Sequence, residues 1–172
     1  KDALYEHGSA QIKIFCTHHH ILPVPSSGRE RNVLENAGDL LDMILKSDVD
    51  LVLLGHRHFP NLHRMENTIF LNAGTASSSK TRYGDVQSYN IIEIDDVARH
   101  ISTIRSNGRR EEARLPKRSR TVFTDFGNRV MRIAHMANSS ISDSRVFRPT
   151  LLENSLSSMQ DLVPDVIVHS GG

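Results

Sequence analysis

The sequence predicts an α/β sandwich. Three observations carry that reading: an order of strand, loop, helix, strand and loop from Gln11 to Pro60; apolar runs of strand length; and one helical stripe between them. Gln11–Cys16 (QIKIFC) alternates polar and apolar residues with β-branched content, as a strand does. His18–Gly28 follows as a loop, punctuated by Pro23, Pro25, Ser26, Ser27 and Gly28. From about Arg29 to Lys46 the residues Val33, Leu34, Ala37, Leu40, Leu41, Ile44 and Leu45 recur at helical spacing, which makes an amphipathic helix. Asp50–Leu54 (DLVLL) is apolar almost throughout, the mark of a strand covered on both faces. Gly55 breaks that run into a second loop, GHRHFP.

Strands are next expected at Thr68–Leu71 and Ser88–Ile94, around a Gly/Thr/Ser-rich turn at Asn72–Ser79, with His100–Arg105 as one more. From Arg105 the character changes. SNGRREEARLPKRSR is polar and dense in charge, so residues 105–129 read as a linker or exposed tail. Its basic cluster would suit nucleic acid, but such runs usually form a solvated face, and a nucleic-acid partner is not expected. Val130–His135 then looks like a fresh strand. Arg148–Leu162 reads as a helix with Pro149 in its first turn and a stripe of Leu151, Leu152, Leu156, Met159 and Leu162. Asp165–His169 (DVIVH) is another buried-type strand, ahead of Gly171-Gly172. A second β-loop-α-β unit therefore opens near residue 130.

Composition excludes more than it selects. Of 172 residues, 38% are hydrophobic and 24% charged, as in a soluble globular protein rather than a disordered one. The formal net charge of +1 offers no global field for nucleic acid or membrane. No apolar run approaches the ~20 residues that span a bilayer, and no secretory leader pattern is present, so neither membrane nor export is expected. The single cysteine, Cys16, cannot form an internal disulfide, and the cytoplasm is the default compartment.

Ten histidines against three tyrosines and no tryptophan stand out, and many gather between His18 and His63. Neutral imidazole is the commonest protein metal ligand near pH 7, although solvated surface histidines are equally compatible with the count alone. Position decides. Thr17-His18-His19-His20-Ile21-Leu22-Pro23 directly follows a strand, where loop side chains converge on a site above a sheet's carboxyl edge. Gly55-His56-Arg57-His58 follows the buried strand. If that loop is extended, residues two apart project to one side, so His56 and His58 would face one site. Gly55 would let the chain turn sharply and approach that site closely.

Together, THHHILPVPSSGRERNVLENAGDLLDMILKSDVDLVLLGHRH, then IFLNAGTASS and SYNIIEI, closely resemble the C-terminal half of calcineurin-like metallophosphoesterases, nearest to small microbial phosphodiesterases. The resemblance covers about half the chain, in order. It implies a four-layer α/β/β/α sandwich of metallophosphoesterase type, and two divalent metal ions, usually manganese, iron or zinc. It also implies His19 and His56 as ligands of one ion and His58 of the other, with His18 and His20 close by in substrate-facing, catalytic or supporting positions. Two such ions clamp phosphoryl oxygens while a metal-bound hydroxide attacks phosphorus in line. Arg29 and Arg31 are weaker candidates for phosphate neutralisation.

The family's acidic ligands come earlier in its chains, and none stands before residue 11. Instead, MRIAHMANSSISDS resembles the family's opening strand and ligand loop, and LVPDVIVHSGG the strand leading to Gly-Asp. The order is inverted, as in a circular permutation, a tandem fusion cut short or a domain exchange. Asn138 stands where the family has Asp and is carried as a possible metal ligand. Ser140 replaces the family's His, and Gly172 the Gly-Asp aspartate. The expectation is thus a partial or permuted sandwich: 1–104 as the C-terminal half, 105–129 as linker, 130–172 as an N-terminal-like β-α-β segment. Its function would be metal-dependent hydrolysis of a phosphate ester such as a nucleotide, with a homodimer or a complementing chain as partner. The alternative is a non-catalytic relative serving as a binding or scaffold module.

Overall fold

Two strands apolar on both faces need cover on both sides, and the chain supplies a helix on one side and a second sheet on the other. The computed structural model describes residues 12–23, 34–95, 98–116 and 130–171. In chain order the elements are β1 (Ile14–Thr17), α1 (Ala37–Lys46), β2 (Leu51–Leu54), β3 (Asn61–Met65), β4 (Thr68–Asn72), β5 (Ser88–Ile94), β6 (Ala98–Arg105), β7 (Arg110–Pro116), β8 (Met131–Met136), α2 (Pro149–Asp161) and β9 (Val166–His169). Four strands form the first sheet in the order β1-β2-β4-β3, and five form the second in the order β7-β6-β5-β8-β9. In the first sheet β1, β2 and β4 run parallel and β3 returns antiparallel at the edge. The second is antiparallel except for β8 with β9.

The period-2 alternation of side chains sorts the core into layers. Leu51, Leu53, Ile69 and Leu71 of the first sheet meet Ile92, Ile94, Ile101 and Ile133 of the second. The intervening residues Val52, Leu54 and Phe70 point the other way, onto Leu40, Leu41 and Ile44 of α1. On the far side, Tyr89, Ile91, Ala134 and Met136 pack against Leu152, Leu156 and Met159 of α2. The layers are therefore α1, first sheet, second sheet, α2, the α/β/β/α stack expected.

The last segment is woven into this stack. Strand β8 pairs with β5, Ile92 opposite Ile133, and β9 extends the sheet beyond it. Arg99, 3% exposed, fastens the sheets at one end by donating to the carbonyls of Asp50, Asn67 and Pro116. A buried guanidinium is tolerable only where its donors are met in this way.

Three strands depart from expectation. The first is β9: DVIVH, read as a buried-type strand, lies at the sheet edge, which leaves Val166 and Ile167 41% and 50% exposed. Strand β7 lies inside the stretch read as a linker, because high charge is compatible with an edge strand whose side chains face water. Its charges pair locally: Arg109 with Glu111 at 2.8 Å and Arg110 with Glu112 at 2.7 Å. Residues 117–129 lie outside the described residues. Strand β3 (NLHRM) was not expected at all, since its half-exposed polar face carries no apolar run. Among the described residues no helix is long and apolar enough to cross a membrane.

Because Ile133 is fully buried between the sheets, Ile133→Ala should lower stability by about 2–5 kcal/mol. Urea denaturation followed by circular dichroism should show one transition moved to lower denaturant. A second transition, with the first unmoved, would mean that the last segment folds apart from the rest.

Candidate metal centre

Parallel pairing sends the C-terminal ends of β1, β2 and β4 to one edge, and each opens a loop there. The loop after β1 carries His18, His19 and His20, and the loop after β2 carries Gly55 and His56. The ends of β8 and β9 reach the same place, where Asn138 N–H donates to Gly171 C=O at 2.8 Å and Ser170 N–H to Met136 C=O at 3.0 Å. Space there is tight. A Cβ on Gly55 would lie 3.0 Å from both Ala137 Cβ and Ser170 O, and 3.2 Å from His18 Nδ1. Glycine is thus required for the approach of two loops, rather than for a positive φ.

One ring nitrogen from each of His18, His19 and His56 lies within 4.8 Å of the others, the one group of this kind among the described residues. The partners fix how two of the rings face. A carbonyl can only accept, so His18 Nδ1–H donates to Ser170 C=O at 3.0 Å. Its Nε2 is then the acceptor, and His56 Nδ1–H donates to it at 3.1 Å. A carbonyl that sets the tautomer of a ligand histidine is the usual outer support of a metal site. Two nitrogens on a tetrahedral zinc are about 3.3 Å apart, close to this spacing. Nδ1 of His19 is buried with no protein hydrogen-bond partner, which leaves it available to a ligand or a water.

His56 is held from behind. Its N–H donates to Asn138 Oδ1 at 2.7 Å, and Asn138 Nδ2 donates onward to Gly74 C=O at 3.1 Å. The amide thus meets one backbone donor and one backbone acceptor, which a carboxylate in its place would not do. Burial, together with the neighbouring His19, His18, His20 and Arg57, pulls the His56 imidazole down to about 4. It is therefore neutral at pH 7, as a ligand must be. His20 is fully buried and stacks on His56 with ring centroids 6.0 Å apart, so it supports that ring rather than facing open solvent.

His58 stands apart from this group. His56 and His58 both adopt positive φ, 69° and 52°, so the backbone is left-handed and the extended-strand alternation that would have aimed them together does not apply. His58 instead hydrogen-bonds the backbone of Lys80, and its Nδ1 is buried without a partner. Burial lowers its basicity, and Arg82, Lys80 and His18 lower it further. Ser140 is a left-handed loop residue, φ 53°. Arg29, Arg31 and Gly172 lie outside the described residues.

Sequence reasoning passed over Ser170, His135 and the hydroxyls of the Asn-Ala-Gly-Thr turn. Thr75 Oγ1 donates to Asn138 C=O at 2.6 Å and Ser77 Oγ to Ser139 C=O at 2.7 Å, pinning the β8 loop. Below the centre, Asn90 Nδ2 meets His135 Nδ1 at 3.4 Å, so His135 Nε2–H faces Ser170 Oγ at 3.1 Å. Thr103 Oγ1 completes the chain by donating to Asn90 Oδ1 at 2.8 Å. Alternation in SYNIIEI placed Asn90 on the inward face, and that was the available signal.

Three imidazoles, two of them with faces fixed by hydrogen bonds, fit one divalent ion of borderline softness, such as zinc, manganese or iron. They do not fit a carboxylate-bridged pair: among the described residues no Asp or Glu joins the group.

No protein-family model matches the sequence, and no curated protein matches it. Solved structures do. GAP50 of Plasmodium, described as the anchor in the inner membrane complex, has a TM-score of 0.52 at 17% identity, over 70% of this chain and 44% of its own. This likeness shows a shared fold. Vps29 of Entamoeba histolytica, solved with zinc, has a TM-score of 0.38 at 24% identity, over 52% of this chain and 51% of its own. A Streptococcus pneumoniae TIGR4 protein, described as a predicted phosphoesterase, has a TM-score of 0.37 at 23% identity, over 46% of this chain and 48% of its own. The chain spans about half the length of these structures.

Two outcomes follow from this geometry. Elemental analysis after loading with zinc and desalting should find one ion per chain, and none after His18→Ala or His56→Ala. Equal retention by wild type and both variants would place the ion elsewhere. The second concerns acid. Full burial pulls His135 down to about 3, against about 6.5 when unfolded. Between those values the unfolded chain binds the extra proton, so stability is complete above about pH 6.5 and falls as pH drops toward 3, by up to about 1.4 kcal/mol per pH unit. Denaturation curves from pH 7 to pH 4.5 should show this slope, and His135→Gln should reduce it by about one proton.

Proposed function

We propose that the chain is a metal-dependent phosphoesterase domain whose centre is built on His18, His19 and His56. The observation that carries this reading is the convergence of those three imidazoles at the carboxyl ends of β1 and β2. The resemblance of the THHHILPVP, GHRH and NAGT segments to metallophosphoesterases supports it, and so does the α/β/β/α stack. A divalent ion held by His18, His19 and His56 would supply Lewis acidity toward a phosphoryl oxygen and would ease the deprotonation of the attacking water. The chain's own part is to fix the donors. Ser170 C=O sets the His18 tautomer, Asn138 holds the His56 backbone, and His20 backs the His56 ring. Arg57 adds positive charge beside His56, which favours an anionic ester.

We further read 1–104 and 130–172 as two parts of one sandwich in inverted order. In this reading the acidic ligands and a second ion come from outside the described residues, through a homodimer partner or a complementing chain. Cytoplasmic placement belongs to the same reading.

A second reading has its own support: the three-histidine group lacks a carboxylate, and Asn138 spends its amide on backbone. A single-ion binding module fits those facts, and an anchoring role is what the Plasmodium protein of similar fold is described as having. Hydrolysis of bis(4-nitrophenyl) phosphate and 4-nitrophenyl phosphate, with zinc or manganese added, separates the two. The enzyme reading expects metal-dependent turnover that His19→Ala or His56→Ala cuts by more than the 10–100-fold typical of an outer-shell change. Metal binding without turnover, with or without a complementing chain, would leave the binding module.

A further inference from the structure

The segment after the histidine loop bears an aromatic and basic rim that the proposed chemistry does not use. His58 is joined by a hydrogen bond to the backbone of Lys80, and the next residue, Phe59, meets Tyr83 edge to face with ring centroids 5.2 Å apart at 80°. The loop from Ser79 to Asp85 is thereby tied to the loop that carries His56. Three residues of chain reach at most about 10–11 Å, which bounds the Cα separation of His56 and Phe59, and the charges of Lys80, Arg82 and His18 all act on His58 in that stretch. The tip of this loop presents Lys80, Arg82 and Tyr83, all exposed.

Both feet of the loop are fixed. Ser79 N–H donates to Val146 C=O at 2.8 Å at one end. At the other, the Asp85 carboxylate takes Arg105 Nε at 2.7 Å, on a guanidinium only 7% exposed. Between them Tyr83 sits at φ 56° and Gly84 at φ 72°. A bulky aromatic in left-handed backbone is an outlier that the surroundings must impose. Yet Tyr83 is 53% exposed, and its edge-to-face contact with Phe59 leaves much of its ring facing solvent. A half-exposed ring held in a disfavoured conformation, on a loop that also carries Lys80 and Arg82, is shaped for a planar partner. The acids nearby are occupied: Asp85 by Arg105, and Asp143 by Arg145 at 2.9 Å. The net field over the rim is positive.

We propose that Tyr83, flanked by Lys80 and Arg82, is a subsite for the planar aromatic group of a phosphate ester whose phosphate lies at His18, His19 and His56. This rests on the phosphoesterase reading and adds a substrate class to it: esters of a nucleobase-bearing or aryl group, in preference to aliphatic ones. Base-on-aromatic stacking at such a platform corresponds to a preference on the order of tenfold or more.

Binding calorimetry on the zinc-loaded chain tests it without relying on turnover. Adenosine 5′-monophosphate and ribose 5-phosphate differ only in the base, and phenyl phosphate and methyl phosphate only in the ring. We expect the aromatic member of at least one pair to bind on the order of tenfold tighter, and which pair does so distinguishes a nucleobase from an aryl site. Tyr83→Gly, which also relieves the backbone, should bring that ratio toward one, and Tyr83→Phe should restore it. A ratio of one in wild type, with zinc-dependent binding of all four, would overturn the subsite and leave the phosphoesterase reading standing. A ratio that survives Tyr83→Gly would overturn the subsite equally. If none of the four binds with or without zinc, the phosphoesterase reading falls and the subsite falls with it.

Discussion

The crossing of two strand-end loops at Gly55 is the constraint on which the candidate centre depends. A side chain there would force its neighbours to shift, because Ala137, Ser170 and His18 all lie within 3.0–3.2 Å of where its Cβ would stand. The crossing places a carbonyl from the end of β9 against a ring from the end of β1, and so converts the meeting of two sheets into a choice of histidine tautomer. It also brings the β8 loop close enough for Asn138 to catch the backbone of His56. Packing, hydrogen bonding and ligand geometry are one arrangement here. Each of the three imidazoles is positioned by atoms remote from it in sequence.

Much of the fold could be read from pattern, because burial on both faces leaves a strong mark. DLVLL, TIFLN and SYNIIEI have to be covered twice, and that need alone calls for layers on either side. Polar edge strands leave no such mark, and β9 leaves a false one, since its apolar run reads as covered yet is largely exposed at the edge. NLHRM and REEARLP bury little, so their composition resembles that of loops, and only pairing with β4 and β6 makes them strands. The site was legible in part for a similar reason. Histidines at the ends of buried strands announce themselves, whereas the backbone carbonyl of Ser170 and the hydroxyls of Thr75 and Ser77 act through positions that any sequence could supply.

His58 shows that the meaning of a spacing depends on backbone conformation. Two histidines separated by one residue suggest a common direction, which holds only while the backbone is extended. Here both residues are left-handed, and the second ring is handed over to the neighbouring Lys80 loop. The buried polar chain from Thr103 through Asn90 and His135 to Ser170 was equally hidden, since its members come from four separate segments. Its members satisfy one another, which is what lets polar side chains occupy the space between two apolar sheets.

The bond between His18 and Ser170 has a bearing on the order in which the molecule is completed. The two residues lie 152 positions apart, so during synthesis the first ring is without this bond until β9 has been made. An ion bound by His18 would meet an oriented ring only after β9 has been laid beside β8, so its capture would register that the second sheet has closed. A chain broken before β9 would keep this histidine but lose the carbonyl that aims it.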